Sequence, residues 1–335
     1  MSFVGIIPNP ASGKDIRRVA AHAFVVGNRE KANIVGRMLI GLHAAGVRDV
    51  RIMPDGFGIG YCAMHELHRR WPEVVSGVSI LDMDFVGAWD DSVLAATLLR
   101  KQGAGCIITL GGDGTVRDVA KACADTPILP VSTGTNNVMP RFIEGTIAGL
   151  AAGFMTLQGK GALEELCLRA KRIDIIVNGQ VVDLALVDVA VVAGSFAGAR
   201  AVWQVDMLRQ VAVTSASPVS LGLSSIVGLL HPIAGHDAFG AMVSVGPEGH
   251  AQTVRAPVGP GLIASVPIRE LSIMVPGRPY PVVPERPLQL ALDGERKIGL
   301  RSGDEASLML RTDGPWIVDV DRVMRRAAHN KHFVS

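Results

Sequence analysis

Short apolar runs alternate with helix-length amphipathic stretches through roughly the first 140 residues, and this rhythm restricts the fold more than any other feature. Residues 3–7 read as a strand, and residues 29–45 as a helix closed by Gly46. Residues 50–53 are the next strand, followed by the turn Pro54-Asp55-Gly56 and a helix running through Arg70. A strand at 78–81, a helix at 90–102, a strand at 106–110, a helix at 116–124 and a strand at 128–131 complete the series. Each parallel strand pair needs a long crossover, so this alternation specifies a parallel sheet with helices on its faces. Ligands of such sheets bind where the strands end.

Past residue 170 the texture changes. Residues 172–177 and 180–186 flank Asn178-Gly179, the dipeptide suited to a tight hairpin turn. Further β-like runs follow at 241–245, 262–266, 271–275, 288–292 and 307–310, separated by Gly and Pro. The expected organisation is an α/β domain over 1–145, a β-rich antiparallel domain over 146–315, and a C-terminal helix within 316–335 that packs back on the first domain.

Composition removes several classes of function. The chain has 335 residues, 48% hydrophobic and 19% charged, enough for two buried cores. A net charge of +2 and 4% aromatic residues leave little with which to hold nucleic acid. Cys62, Cys106, Cys123 and Cys167 are scattered without metal-ligand spacing and read as reduced thiols of a cytoplasmic protein. MSFVGIIPNP reads as a first strand rather than a leader. Residues 210–230 carry no charge, yet six Ser or Thr together with Pro218, Gly222 and Gly228 make them too polar for a membrane span. A buried or ligand-lining segment is expected there, with no stable membrane insertion. His65-Glu66-Leu67-His68 lacks the spacing of a zinc site and belongs to an ordinary amphipathic helix.

Four short motifs carry chemistry. Asn9-Pro10-Ala11-Ser12-Gly13-Lys14 follows the first strand and offers free N–H groups, a hydroxyl and an amine, all suited to phosphate; the alternative is a plain turn. Gly111-Gly112-Asp113-Gly114-Thr115 stands where a strand gives way to a helix. Its glycines allow close approach to the main chain, the helix end favours anions, and Asp113 can bind Mg2+ or take a proton. The alternative for Asp113 is a helix cap. Ser132-Thr133-Gly134-Thr135-Asn136-Asn137 ends the following strand and suits ribose or phosphate, or is a polar turn. Leu292-Asp293-Gly294-Glu295 reads in isolation as a hairpin turn.

In this order, NPASGK, GGDGT, STGTNN and LDGE resemble the NAD kinase and diacylglycerol kinase superfamily, and most of all the acetoin-catabolism protein X group of NAD-kinase-like proteins. The resemblance spans nearly the whole chain. It implies a Rossmann-like parallel-sheet domain followed by a β-sandwich domain, and ATP-dependent phosphoryl transfer with Mg2+. It makes Asp113 the base toward the ribose 2′-hydroxyl of NAD(H), giving NADP(H). It also assigns nucleotide contacts to Asn9, Ser12, Gly13, Lys14, Gly111, Gly112, Gly114, Thr115, Thr133, Gly134, Thr135, Asn136 and Asn137. The lipid-kinase branch instead implies Glu295 as base, with Asp113 serving Mg2+–ATP. A non-catalytic NAD(H) or ATP sensor linked to acetoin catabolism is the third possibility. Two departures stand out: Asn136-Asn137 replaces the Asn-acid pair of NAD kinases, and residues 214–224 look like their second-domain Thr/Ser segment without its tyrosine. Relatives of this kind are usually homo-oligomers, which is the expectation here.

Overall fold

A computed structural model describes residues 2–12, 26–88, 90–134, 137–194, 205–247, 249, 251–294 and 296–334, with the backbone alone at 296 and 297. The first domain is a seven-stranded sheet in the order β3-β2-β1-β4-β5-β18-β6. Its strands are β1 (Phe3–Pro8), β2 (Val50–Ile52), β3 (Val78–Ile80), β4 (Ala104–Gly111), β5 (Ile128–Ser132), β6 (Cys167–Arg169) and β18 (Trp316–Val318). The five N-terminal strands are parallel, and β18 joins β5 in parallel with β6 antiparallel beyond it.

Helices cover both faces. On one lie α1 (Asn28–Ala44), α2 (Ile59–His68), the single turn α3 (Pro72–Val75) and α6 (Gly145–Gln158). On the other lie α4 (Asp90–Lys101) and α5 (Asp113–Cys123). Helices α1 and α6 touch backbone to backbone: a Cβ on Gly149 would fall 2.2 Å from the Met38 carbonyl oxygen, and one on Gly41 2.3 Å from that of Thr146. The short α7 (Leu163–Leu166) leads from α6 into β6, the edge strand of this sheet, and the antiparallel strands begin at Arg172.

The second domain is antiparallel. Strands β7 (Arg172–Val177), β8 (Gln180–Ala185), β14 (Pro279–Val282) and β17 (Ala306–Arg311) form a four-stranded sheet in the order β14-β17-β7-β8. Strands β9 (Asp188–Ala193), β10 (Leu208–Val213), β11 (Gly240–Val245), β12 (Gln252–Gly259), β13 (Leu262–Met274), β15 (Leu288–Leu292) and β16 (Arg296–Leu300) form the other, in the order β12-β13-β11-β10-β9-β15-β16. The two sheets share one core in which Ile173, Ile175, Leu308 and Leu310 face Val189, Val191 and Leu290, the arrangement of a sandwich. The Asn178-Gly179 turn joins β7 to β8 with both residues at positive φ (50° and 77°), the geometry of the mirror-image hairpin turn.

The uncharged segment 210–230 becomes the end of β10, a loop, and α8 (Ser224–Gly228) packed on the outer face of the seven-stranded sheet. Among the described residues no helix is long and apolar enough to cross a membrane. The terminal α9 (Val320–His329) packs against α6 and α7, and His332 stacks edge-on to Phe154.

Candidate functional site

Strand order decides where the motifs meet. The chain leaves β1 toward β2 and β3 on one side, then crosses back to β4 on the other. The loops after β1 and β4 therefore diverge at the point where an open parallel sheet forms a crevice. The chain leaves β1 through Asn9–Ser12, GGDGT spans the junction of β4 and α5, and β5, beside β4, ends at Ser132.

Side chains stitch these three loops together. Asn9 accepts the Ala11 N–H at 2.9 Å and donates its amide to Thr115 Oγ1 at 2.8 Å, linking the first loop to the second. The Ser12 and Thr133 hydroxyls share a hydrogen bond of 2.8 Å, linking the first to the third. Beneath the first loop lies Lys31, fully buried on the inward face of α1. Its Nζ donates to the carbonyls of Asn9 (2.9 Å), Ser12 (3.0 Å) and Pro10 (3.4 Å). Lys31 escapes the motif reading, yet a trace was visible: it falls on the apolar stripe shared with Val35, Met38 and Leu42.

Asp113 is the first helical residue of α5, and the cap position belongs to Gly112. Its buried carboxylate instead accepts the N–H of Met139 at 2.8 Å and of Val138 at 3.0 and 3.2 Å. It thus holds the chain beyond β5 against the N-terminal end of α5, where the helix dipole presents partial positive charge. The neighbouring glycines face their own chain. A Cβ on Gly111 would lie 2.4 Å from Thr115 Oγ1, and one on Gly112 2.9 Å from Asn137 Oδ1. Internal packing thereby accounts for both residues, and neither has positive φ. Gly114 is buried in the first turn of α5. In the third loop, Asn137 Nδ2 donates to Ser132 Oγ (2.8 Å) and to the Gly134 carbonyl (3.2 Å). Gly13, Lys14, Thr135, Asn136 and Glu295 lie outside the described residues.

The LDGE hairpin is not a solvent turn. Asp293 and Gly294 have φ of 47° and 73°, and Asp293 is buried. Its carboxylate accepts the N–H groups of Val187 (2.8 Å), Leu186 (3.1 and 3.2 Å) and Asp188 (3.2 Å). Burial pushes the Asp293 carboxyl upward from the usual range, while Arg117 and those three N–H groups pull the other way. Arg117, on α5, stands 3.7 Å away across the domain junction. The segment likened to the NAD kinase Thr/Ser stretch begins here too, with Thr214 Oγ1 donating to the Leu186 carbonyl at 2.7 Å. A 330 Å³ cavity lined by Arg100, Asp125 and Lys160 lies at the opposite, amino edge of the sheet and contains none of the motifs.

A parallel-sheet domain with GGDGT at its crevice, followed by an antiparallel sandwich, is the NAD kinase-like two-domain fold. Residues 25–158 match the profile of the ATP-NAD kinase N-terminal domain, and residues 171–313 that of the acetoin catabolism protein X C-terminal domain. The chain is 38% identical over 334 residues, 98% of its own length and 92% of the relative's, to acetoin catabolism protein X of Cupriavidus necator. It belongs to the acetoin catabolism protein X family.

Proposed function

We propose that this protein transfers a phosphoryl group from ATP to a nucleotide hydroxyl, with the 2′-hydroxyl of NAD(H) as acceptor and NADP(H) as product. The observation that carries the reading is the convergence of three polar loops from β1, β4 and β5 around Asp113, at the N-terminal end of an eleven-residue helix. Phosphoryl transfer needs alignment and charge stabilisation more than covalent help, and a pre-ordered loop cluster supplies alignment. Val138 and Met139 fix the Asp113 carboxylate in one orientation, as a proton acceptor or metal ligand requires.

The donor set suits a magnesium nucleotide. Among the described residues no three metal-ligating side chains cluster, and Mg2+ needs only one or two carboxylates when nucleotide phosphates complete its shell. Asp113 would hold the ion; Asn9, Ser12, Thr133, Gly134 and Asn137, with Gly13, Lys14, Gly111, Gly112, Gly114, Thr115, Thr135 and Asn136, would form the nucleotide loops. Mg2+ bound to ATP would offset charge on the transferring phosphoryl group.

A second reading takes a lipid hydroxyl as acceptor and Glu295 as base. The burial of neighbouring Asp293 against α5 favours it, because that contact brings the 292–294 turn to the helix that begins with Asp113. A third is a nucleotide sensor; the relative's name supports a link to acetoin catabolism. One experiment separates the three: phosphoryl transfer from ATP and Mg2+ with NAD, NADH, diacylglycerol or no acceptor, for wild type, Asp113→Asn and Glu295→Gln. NADP(H) formation that disappears in Asp113→Asn supports the proposal. Phosphorylated lipid that disappears in Glu295→Gln replaces it with the second reading. Nucleotide binding without turnover replaces it with the third.

A further inference from the structure

Helix α5 starts at Asp113 and carries Arg117 and Lys121 at the next two four-residue steps, so the three share one face. Beyond Asp113, that face meets the second domain. Arg117 is 1% exposed; its Nη1 donates to the Leu292 carbonyl and faces Asp293. One turn further on, Lys121 pairs with Asp183 of β8. Against the upward push of burial, hydrogen bonds from Lys121 and the Leu184 N–H hold Asp183 below the usual carboxylate range. Leu186, from the second domain, packs into the first-domain cluster that contains Val116 and Val119. Asp293 gathers residues 186–188, which Thr214 also touches, so three separate stretches of the sandwich meet at the carboxylate that Arg117 faces.

Two opposite charges withdrawn from water are a poor source of stability, since desolvation offsets their attraction and an apolar pair of like volume often serves as well. What such a pair adds is geometry. An aliphatic contact can slide, whereas a guanidinium bonded to the Leu292 carbonyl and set between the Asp293 and Asp118 carboxylates, 3.7 and 3.9 Å away, has a fixed orientation. We infer that Arg117 and Asp293 are positioning residues, which fix the 292–294 turn against the helix that begins at Asp113. The inference rests on the phosphoryl-transfer reading of Asp113. The separation between Asp113 and the 292–294 turn is then set by one turn of α5 and one guanidinium. A displacement of about 1 Å at a reacting centre costs about 100-fold in rate.

The test uses full-length Arg117→Met, Arg117→Lys and Asp293→Asn beside wild type, with two readouts. One is NAD phosphorylation with kcat and KM separated; the other is hydrogen exchange at the amides of 186–188 and 292–294. Arg117→Met is expected to lower kcat about 100-fold while KM for ATP stays within about threefold. Exchange at both segments is expected to quicken by about tenfold, and Arg117→Lys to recover part of each change. Unchanged exchange overturns the clamp, and unchanged kcat beside accelerated exchange overturns its positioning role. If Arg117→Met fails to fold, Asp293→Asn is expected to show the same losses and is judged by the same two criteria. If wild type does not phosphorylate NAD, the phosphoryl-transfer reading fails separately, and exchange alone decides whether Arg117 fixes the turn.

Discussion

Replacing Gly149 by alanine sets helix propensity against packing, and the structure says which prevails. In a helix interior the change gains about 1 kcal/mol from propensity alone. At the α1–α6 crossing, however, the new Cβ would lie 2.2 Å from the Met38 carbonyl oxygen, 2.9 Å from the Leu42 nitrogen and 3.0 Å from the Gly41 Cα. Ordinary C···O contacts run at about 3.3–3.6 Å, so the helices must part by about 1 Å. The obstacles are backbone atoms that cannot rotate away, which puts the overpacking cost near the upper end of the usual range, about 3 kcal/mol. The net expectation is a loss of about 2 kcal/mol. Gly36, also inside α1, is the internal control: its Cβ would meet only Leu67 side-chain atoms, at 3.9 Å. Gly36→Ala should therefore gain about 1 kcal/mol, leaving the two variants about 3 kcal/mol apart. Urea unfolding of each full-length variant measures the difference. A Gly149→Ala protein as stable as Gly36→Ala would refute the close-crossing argument.

Three further outcomes follow from single residues. Lys31→Met strips the ammonium from the Asn9, Pro10 and Ser12 carbonyls; a loss of about 3 kcal/mol and an ATP affinity weakened at least about tenfold are expected, measured by unfolding and calorimetry. Lys171 is buried between β6 and β7, and desolvation lowers its pKa to about 8. Between that value and the ordinary 10.5 the unfolded chain binds the extra proton, so stability should rise with pH across that window; the rise should vanish in Lys171→Met. Burial raises the thiol pKa of Cys106, Cys123 and Cys167 while Cys62 is exposed. A thiol reagent at neutral pH should therefore label one cysteine in the native protein and four in denaturant.

Much of the first domain was readable because its strands and helices obey different periods and its motifs sit at the junctions. Helix α5 begins at Asp113 rather than at 116, since three glycines argue against helix locally while contacts to Val138 and Met139 hold the first turn. Helix α6 was invisible for another reason: GTIAGLAAGFMTLQ is apolar nearly all round, so no amphipathic period marks it. Residues 262–266 and 271–275 read as separate strands, yet Leu262–Met274 is one long strand that pairs first with β12 and then with β11. Within the candidate site the loops were legible and their wiring was not. That Asn9 would reach Thr115, or Arg117 face Asp293, depends on partners 106 and 176 positions away along the chain.

Strand β18 lies between β5 and β6, although it is assembled from residues 316–318. On the ribosome, the sheet that carries GGDGT stays incomplete until residues 316–318 have emerged, and the sandwich strands are synthesised before them. A fragment cut at the close of the N-terminal profile match would present β5 as an unguarded edge, open to pairing with other chains. Residues 316–318 thus tie completion of the first domain's sheet to a segment made after the sandwich: without them β5 lacks the strand that covers it.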